Sequence, residues 1–183
     1  QLDDYLQNKK KISDLSSQKN EETIKDLKNK IIKLGGKPNM YNKDQALVIK
    51  DLNRQYETLS VGSILKDKSK NIIKDQNINN VKVRFQKVSE LPFKDLRKLI
   101  DDGKKELKEG ILVIYAVNED KVGLAIGVTG TLEKKFDAVK LVKTGSVIIG
   151  GKGGGGRSDF AQAGGTLVGK IEESFESIKK LIS

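Results

Sequence analysis

The residues with most chemistry to offer lie between Gly150 and Gly165, in the run GGKGGGGRSDFAQAGG. Eight of these sixteen residues are glycine, and Lys152, Arg157 and Asp159 stand among them, directly after the apolar Val147-Ile148-Ile149. Ordering glycine costs more backbone entropy than ordering any other residue, so such a concentration in a folded domain implies close approach of backbone to a phosphate or a flat ring. A Walker phosphate loop fails on spacing: Gly145 and Gly150 are correctly separated, but Gly151 occupies the lysine position and Gly153 follows Lys152 where Ser or Thr belongs. Gly151, Gly153 and Gly156 match a dinucleotide fingerprint formally, as almost any glycine run would, but they follow a predicted helix rather than a strand.

Two readings of the segment remain. A flexible glycine linker is opposed by Lys152, Arg157 and Asp159, and by the small-residue run Ala161-Gln162-Ala163 that leads into a helix. The alternative is a structured loop whose N–H groups, with Lys152 and Arg157, approach the phosphates, sugars or unstacked bases of a nucleic acid. Arg157 is one of only four arginines beside 31 lysines. Its planar fork suits phosphate or a base face, and it can equally clamp Asp159 two residues away.

Catalysis finds little support. There is no histidine and no cysteine, which removes the commonest general base, thiolate and imidazole metal ligands, and every Ser-His or Cys-His pair. No paired-carboxylate constellation stands out, so the chain is expected to lack catalysis and to hold no metal or cofactor of its own. The absence of cysteine agrees with a reducing compartment, and a cytoplasmic location is expected. No apolar run approaches the roughly 20 residues that cross a bilayer. The net charge of +10 permits a polyanionic partner without locating it, because residues 1–78 and 79–183 each contribute +5. The chain starts at Gln1 and has Met40 as its single methionine, so it is expected to be a piece of a longer protein.

The elements that must position the glycine segment follow from periodicity. Ile24, Leu27, Ile31 and Leu34 step by three, four and three, as in a coiled-coil seam, with Asn20 as N-cap and Gly35-Gly36 and Pro38 as the stop. Leu2, Tyr5, Ile12 and Leu15 sketch an earlier, frayed helix. A second helix starts near Asn42, with Gln45 in capping-box position, and presents Ile49, Leu52, Tyr56 and Leu59. Two narrow stripes joined by a turn make a helical hairpin, for which association with a second copy is expected; packing on the globular part or on sequence outside this chain is the alternative. Gly62 interrupts the pattern, and residues 67–80 read as a polar linker or frayed helix end.

From Val81 the alternation of Val81, Val83 and Phe85 predicts a strand. Pro92 opens a helix faced by Leu96, Leu99, Ile100, Gly103 and Leu107 that stops at Gly110. Ile111 to Val117 reads as a central strand, and Val122 to Val128 returns after the Asn118-Glu119-Asp120 turn. Leu132, Phe136 and Val139 begin a helix toward Ile149, with Gly145 as a kink; Thr166 caps a last helix carrying Val168, Ile171, Phe175, Ile178 and Ile182. The expectation is an α+β chain, with a helical coiled-coil-like part at 1–78 and a small α/β sandwich at 79–183.

The run GGKGGGGRSDFAQAGG closely resembles the signature that ends the C-terminal domain of bacterial alanyl-tRNA synthetases, in the DHHA1 family, where GGKGGGRPDMAQAGG is the commonest form. The order of elements along the whole chain is similar in outline. This chain has one more glycine, Ser158 where proline is common and Phe160 where methionine is common; the first two predict a less rigid loop, the third a packing change. The resemblance implies a non-catalytic module that binds the outer corner of alanine-specific tRNA, dimerises through its helical part, and helps couple aminoacylation with editing. Carried over by position, it implies RNA contact by Gly151, Lys152, Gly153, Gly154, Gly155, Gly156 and Arg157, with Asp159 and Gln162 holding or extending the loop. It also implies that ATP, magnesium and zinc belong to the aminoacylation and editing domains of the parent ligase, outside this chain. A purely structural oligomerisation module is the alternative, as is an accessory domain of a DHH-type phosphoesterase, whose metal-binding Asp and His motifs are missing here.

Overall fold

A computed structural model describes residues 2–183. The chain divides into two compact units, Gln1–Ser63 and Ile64–Ser183.

In the first unit, α1 (Leu2–Lys33) is one continuous helix. The expected break at Asn20 does not occur, because no glycine or proline interrupts these residues. Asn20 instead donates from its amide to Gln45 Oε1 at 3.3 Å, reaching the second helix. The C-terminus closes as a Schellman turn, with Gly36 N–H on Ile31 O, Gly35 N–H on Ile32 O, and Gly35 at φ +80°. Helix α2 (Gln45–Lys66) is capped by Asp44, which accepts from Ala46 and Leu47 N–H, and not from Asn42 as expected. It continues through Gly62, at a cost of about 1 kcal/mol relative to alanine that the helix tolerates.

The two apolar stripes face each other within one chain. Leu27, Ile31, Val48 and Leu52 are buried, and Ile24, Ile49, Tyr56 and Leu59 pack around them, whereas Leu34 stays exposed. The face expected to meet a second copy is therefore spent inside the hairpin. The large apolar side chains left open on α1 are Leu2, Tyr5, Leu6, Ile12, Leu15 and Ile32.

The second unit is a mixed six-stranded sheet in the order β1-β2-β3-β4-β6-β5, with helices on both faces. Its strands are β1 (Asn71–Ile78), β2 (Val81–Ser89), β3 (Ile111–Asn118), β4 (Lys121–Val128), β5 (Gly154–Gly156) and β6 (Phe160–Gly165). The segment read as a linker contains β1, which pairs antiparallel with β2 along all eight residues. The turn between them places Asn79 and Asn80 at φ +51° and +63°, the geometry that asparagine tolerates in two-residue hairpins. β1 escapes the apolar-alternation criterion because it is an edge strand with little to bury. Because β1 pairs with β2, it belongs to the same compact unit, Ile64–Ser183.

β2 and β3 are parallel, joined through α3 (Leu96–Leu107); the other neighbours are antiparallel. A 3₁₀ turn at Phe93–Asp95 precedes α3. Helix α4 (Ala138–Ile148) starts later than the apolar pattern suggested: residues 132–136 form a turn, and Asp137 caps the helix by accepting from Val139 N–H at 2.9 Å. The last helix, α5 (Ile171–Ile182), follows a 3₁₀ turn at Val168–Lys170, so Thr166 does not cap it. Ile149 O instead receives N–H from both Thr166 and Leu167.

Gly145 is a contact point rather than a kink. A Cβ there would lie 2.6 Å from Ile178 Cδ1 and 2.9 Å from Leu124 Cδ2, so its absence lets α4 pack closely against both α5 and the sheet. Ser174 Oγ donates to Gly145 O at 2.8 Å, which leaves it to accept from the buried Tyr115 hydroxyl at 2.7 Å. Burial pushes that phenol above its ordinary pKa, with the Ser174 contact acting weakly the other way. Val83, Phe85, Val113, Tyr115, Leu124 and Ile126 form the core on the α4–α5 face.

Candidate nucleic-acid interface

The glycine segment is a built hairpin, not a linker. Gly151 closes α4 by donating its N–H to Ser146 O at 2.8 Å, and a Cβ there would meet Gly164 O at 2.1 Å and Ser146 Oγ at 2.2 Å. Gly153 sits at φ +99°, and its carbonyl accepts from Ser146 Oγ at 3.3 Å. The chain then runs as β5 and returns as β6, joined through Ser158 and Asp159. Arg157 and Phe160 exchange both backbone hydrogen bonds, at 2.7 and 3.2 Å.

From that closing pair the antiparallel alternation fixes the rest. Gly155 bonds inward to Gln162, while the N–H and C=O groups of Gly154 and Gly156 point out at the free edge. Gly154, Gly155 and Gly156, three of the seven residues expected to form a loop from Gly151 to Arg157, thus form the outermost strand of the sheet.

The tip of the hairpin is tethered from several elements. Asp159 O accepts from Val128 N–H at 2.9 Å and from Lys104 Nζ at 2.8 Å, and Ser158 O accepts from Ala138 N–H at 2.9 Å. Ser158 Oγ donates to Glu133 Oε2 at 3.2 Å, so the serine standing where proline is common supplies its own tether. The Asp159 carboxylate lies 3.3 Å from Arg157 Nε and 3.6 Å from Lys104 Nζ. The clamp between Arg157 and Asp159 is present, yet the Arg157 side chain remains 67% exposed, so it is anchored at Nε with much of its surface still open.

Lys152 is exposed at the other end of β5. The segment thus carries a cation before and after an edge of bare peptide groups, an arrangement suited to a polyanion. Gln162 lies in β6 and pairs with Gly155 on one side and Ala125 on the other. Phe160 is half-buried under Arg97 of α3, whose guanidinium carbon is 5.2 Å from the ring centroid.

Arg97 and Lys104 were not among the expected site residues. Both come from α3, more than fifty positions upstream of the hairpin residues they touch, and only the tertiary fold brings them there. The scarcity of arginine was the available signal for Arg97. It is not decisive, since Arg84 is structural: it is buried, with Nε and Nη2 on the Asp75 carboxylate at 2.8 and 2.9 Å and Nη1 on Glu106 at 2.9 Å. The Arg84 hydrogen bonds hold the Asp75 carboxyl below the usual carboxylate range.

Among the described residues no three His, Cys, Asp or Glu side chains come together as a metal site, and no helix is long and apolar enough to cross a membrane.

Comparison with known proteins gives one consistent picture for the second unit. The DHHA1 domain family matches residues 80–183. The alanine–tRNA ligase of Parvibaculum lavamentivorans is 44% identical over 108 residues, 58% of this chain and 12% of that protein. That of Bradyrhizobium diazoefficiens is 42% identical over 109 residues, 59% of this chain and 12% of the ligase. The crystal structure of the C-Ala domain from Aquifex aeolicus alanyl-tRNA synthetase matches with a TM-score of 0.57 at 28% identity, covering 60% of this chain and 98% of that domain. These matches span about three fifths of the chain, and the chain spans about an eighth of the curated relatives.

Proposed function

The chain belongs to the DHHA1 domain family, and on that premise we propose that it is the non-catalytic C-terminal module of an alanine–tRNA ligase, which grips tRNA through the β5–β6 hairpin. The observation that carries this reading is the hairpin itself: a tethered backbone presents a free peptide edge at Gly154 and Gly156 between the exposed Lys152 and Arg157. Such an arrangement contacts phosphate and sugar and positions the nucleic acid without needing a catalytic group. Aminoacylation and editing, with their ATP, magnesium and zinc, belong in this reading to other domains of the parent ligase, and the module holds the outer corner of the tRNA so that one molecule can serve both.

The test is binding of this chain to tRNA and to an unstructured RNA of equal length over a salt series. Tighter binding to tRNA, with affinity falling as salt rises, is the expected result; equal affinity and slope for both RNAs would reduce the function to charge.

Self-association of the helical unit is the other half of the reading. Because Leu27, Ile31 and Leu52 are spent within the hairpin, the exposed Leu2, Tyr5, Leu6, Ile12 and Leu15 of α1 are the face we assign to a second copy. Replacing Ile12 and Leu15 with lysine should give a monomer by sedimentation with helix content retained. A dimer that survives would remove this face from the reading.

A further inference from the structure

Beside the free edge, the sheet face under α3 continues past the helix onto β6 and β5. Phe160, Gln162 and Gly164 alternate on that side of β6, and Gly155 is the cross-strand neighbour of Gln162. Arg97 borders this strip, exposed, with its guanidinium over the Phe160 ring and no ion pair among the described residues. The Gln162 amide makes no side-chain hydrogen bond within the described residues either, so both its donors and its acceptor are open. Gly155 differs from its neighbours in the segment. A Cβ there meets nothing within 4 Å and its φ is not positive, whereas a Cβ at Gly154 would lie 2.5 Å from Gln162 O. At Gly164 the nearest atom would be Val122 O at 3.7 Å, an ordinary contact. The fold has room for side chains at Gly155 and Gly164, so packing within the chain does not account for these two glycines. Beside bulges and tight bends, glycine in a strand marks sites where a ligand or another backbone approaches closely.

We propose that Arg97, Phe160 and Gln162, over the bare floor of Gly155 and Gly164, form a patch that receives the flat face of a nucleobase, separate from the phosphate contacts of Lys152 and Arg157. This deepens the tRNA-binding reading and rests on it. Each part has a distinct task. The peptide planes of the floor allow a ring to lie against the strand where a Cβ would hold it off. The Arg97–Phe160 pair supplies a planar cation, held over an aromatic ring, on whose face a base can stack. The Gln162 amide reads a base edge.

The experiment compares tRNA with heparin, a polyanion without bases, against the full chain and three variants. Gly155→Val fills the floor, and Arg97→Lys keeps the charge but removes the plane. Both should bind tRNA five-fold or more weakly than wild type while binding heparin within two-fold of it. Lys152→Glu with Arg157→Glu should lose affinity for both. Wild-type tRNA affinity in Gly155→Val and Arg97→Lys, with loss only in the charge-reversed variant, would overturn the patch and leave the tRNA reading standing. Failure of the wild-type chain to prefer tRNA over heparin would remove both. A melting temperature several degrees lower in Gly155→Val would show that the fold itself needs this glycine, and would also overturn the proposal.

Discussion

At one end of the sheet β1 carries a side chain at all eight positions; at the other, β5 carries none. Both are edge strands of antiparallel hairpins, so both expose unpaired N–H and C=O groups that invite pairing with another chain. β1 answers with the charged side chains of Lys74 and Asp75, and Asp75 is fixed by the bidentate contact from Arg84. β5 leaves its edge open. Three glycines in a strand forgo roughly 0.5–1 kcal/mol each relative to alanine, and the hairpin recovers order through the tethers at Ser158 and Asp159. One edge is defended and the other is held rigid and bare.

That contrast can be broken most severely at Gly151. Gly151→Ala places a methyl group into Gly164 O and Ser146 Oγ, with Ser146 O behind; we expect a loss of about 3 kcal/mol, read by denaturant unfolding, because the two backbone carbonyls cannot yield. A loss under 1 kcal/mol would mean the α4–β5 junction is looser than its contacts indicate. Next comes the defended edge. Arg84→Ala should cost roughly 2 kcal/mol, a modest figure because Asp75 and Glu106 are half or more exposed and screened by solvent.

The same pair carries a pH signature. Asp75 has its folded pKa lowered by Arg84, so its contribution is fully present above the ordinary carboxylate value of about 4. It is lost as the pH falls through the lower folded value. In Arg84→Ala this part of the acid-side loss should vanish; unfolding midpoints at pH 7 and pH 3 would show it as a smaller difference than in wild type.

Smaller in free energy, and at the open edge, charge reversal of Lys152 with Arg157 should weaken tRNA binding about ten-fold and flatten the salt slope by roughly one to two. An unchanged slope would mean that neither cation meets phosphate. The smallest effect is expected at Gly155→Ala, where stability should stay within about 0.5 kcal/mol of wild type or rise slightly, since the site is open and alanine orders at less entropic cost. A marked destabilisation there would erase the distinction between glycines that the fold needs and glycines that it does not.

Much of this molecule was legible in its residues. Ile111 to Val117 reads as a central strand because β3 is buried on both faces, and the 3-4 spacing of Ile171, Phe175, Ile178 and Ile182 marks the buried side of α5. Family membership followed from one sixteen-residue run. β1 was missed because edge strands bury little, so hydrophobic alternation, the signal that finds central strands, is weak there. The strand character of Gly154–Gly156 was missed because glycine has no propensity for any element; only its cross-strand partners Ala161 to Ala163 confer it. The two helical stripes were correctly found, but a stripe does not say what covers it, and α1 and α2 cover one another.

The sequence by itself determined the order of most elements, the absence of imidazole and thiol chemistry, and the position of the unusual segment. These depend on residue type and local spacing, which the chain carries in one dimension. The tertiary structure alone decided that Arg97 and Lys104 of α3 meet the hairpin, that Arg84 is spent on Asp75 and Glu106, and that Gly151 is packed while Gly155 is open. Each of those facts is a distance between residues far apart in the chain, or a volume enclosed by several elements, and neither exists until the sheet has formed.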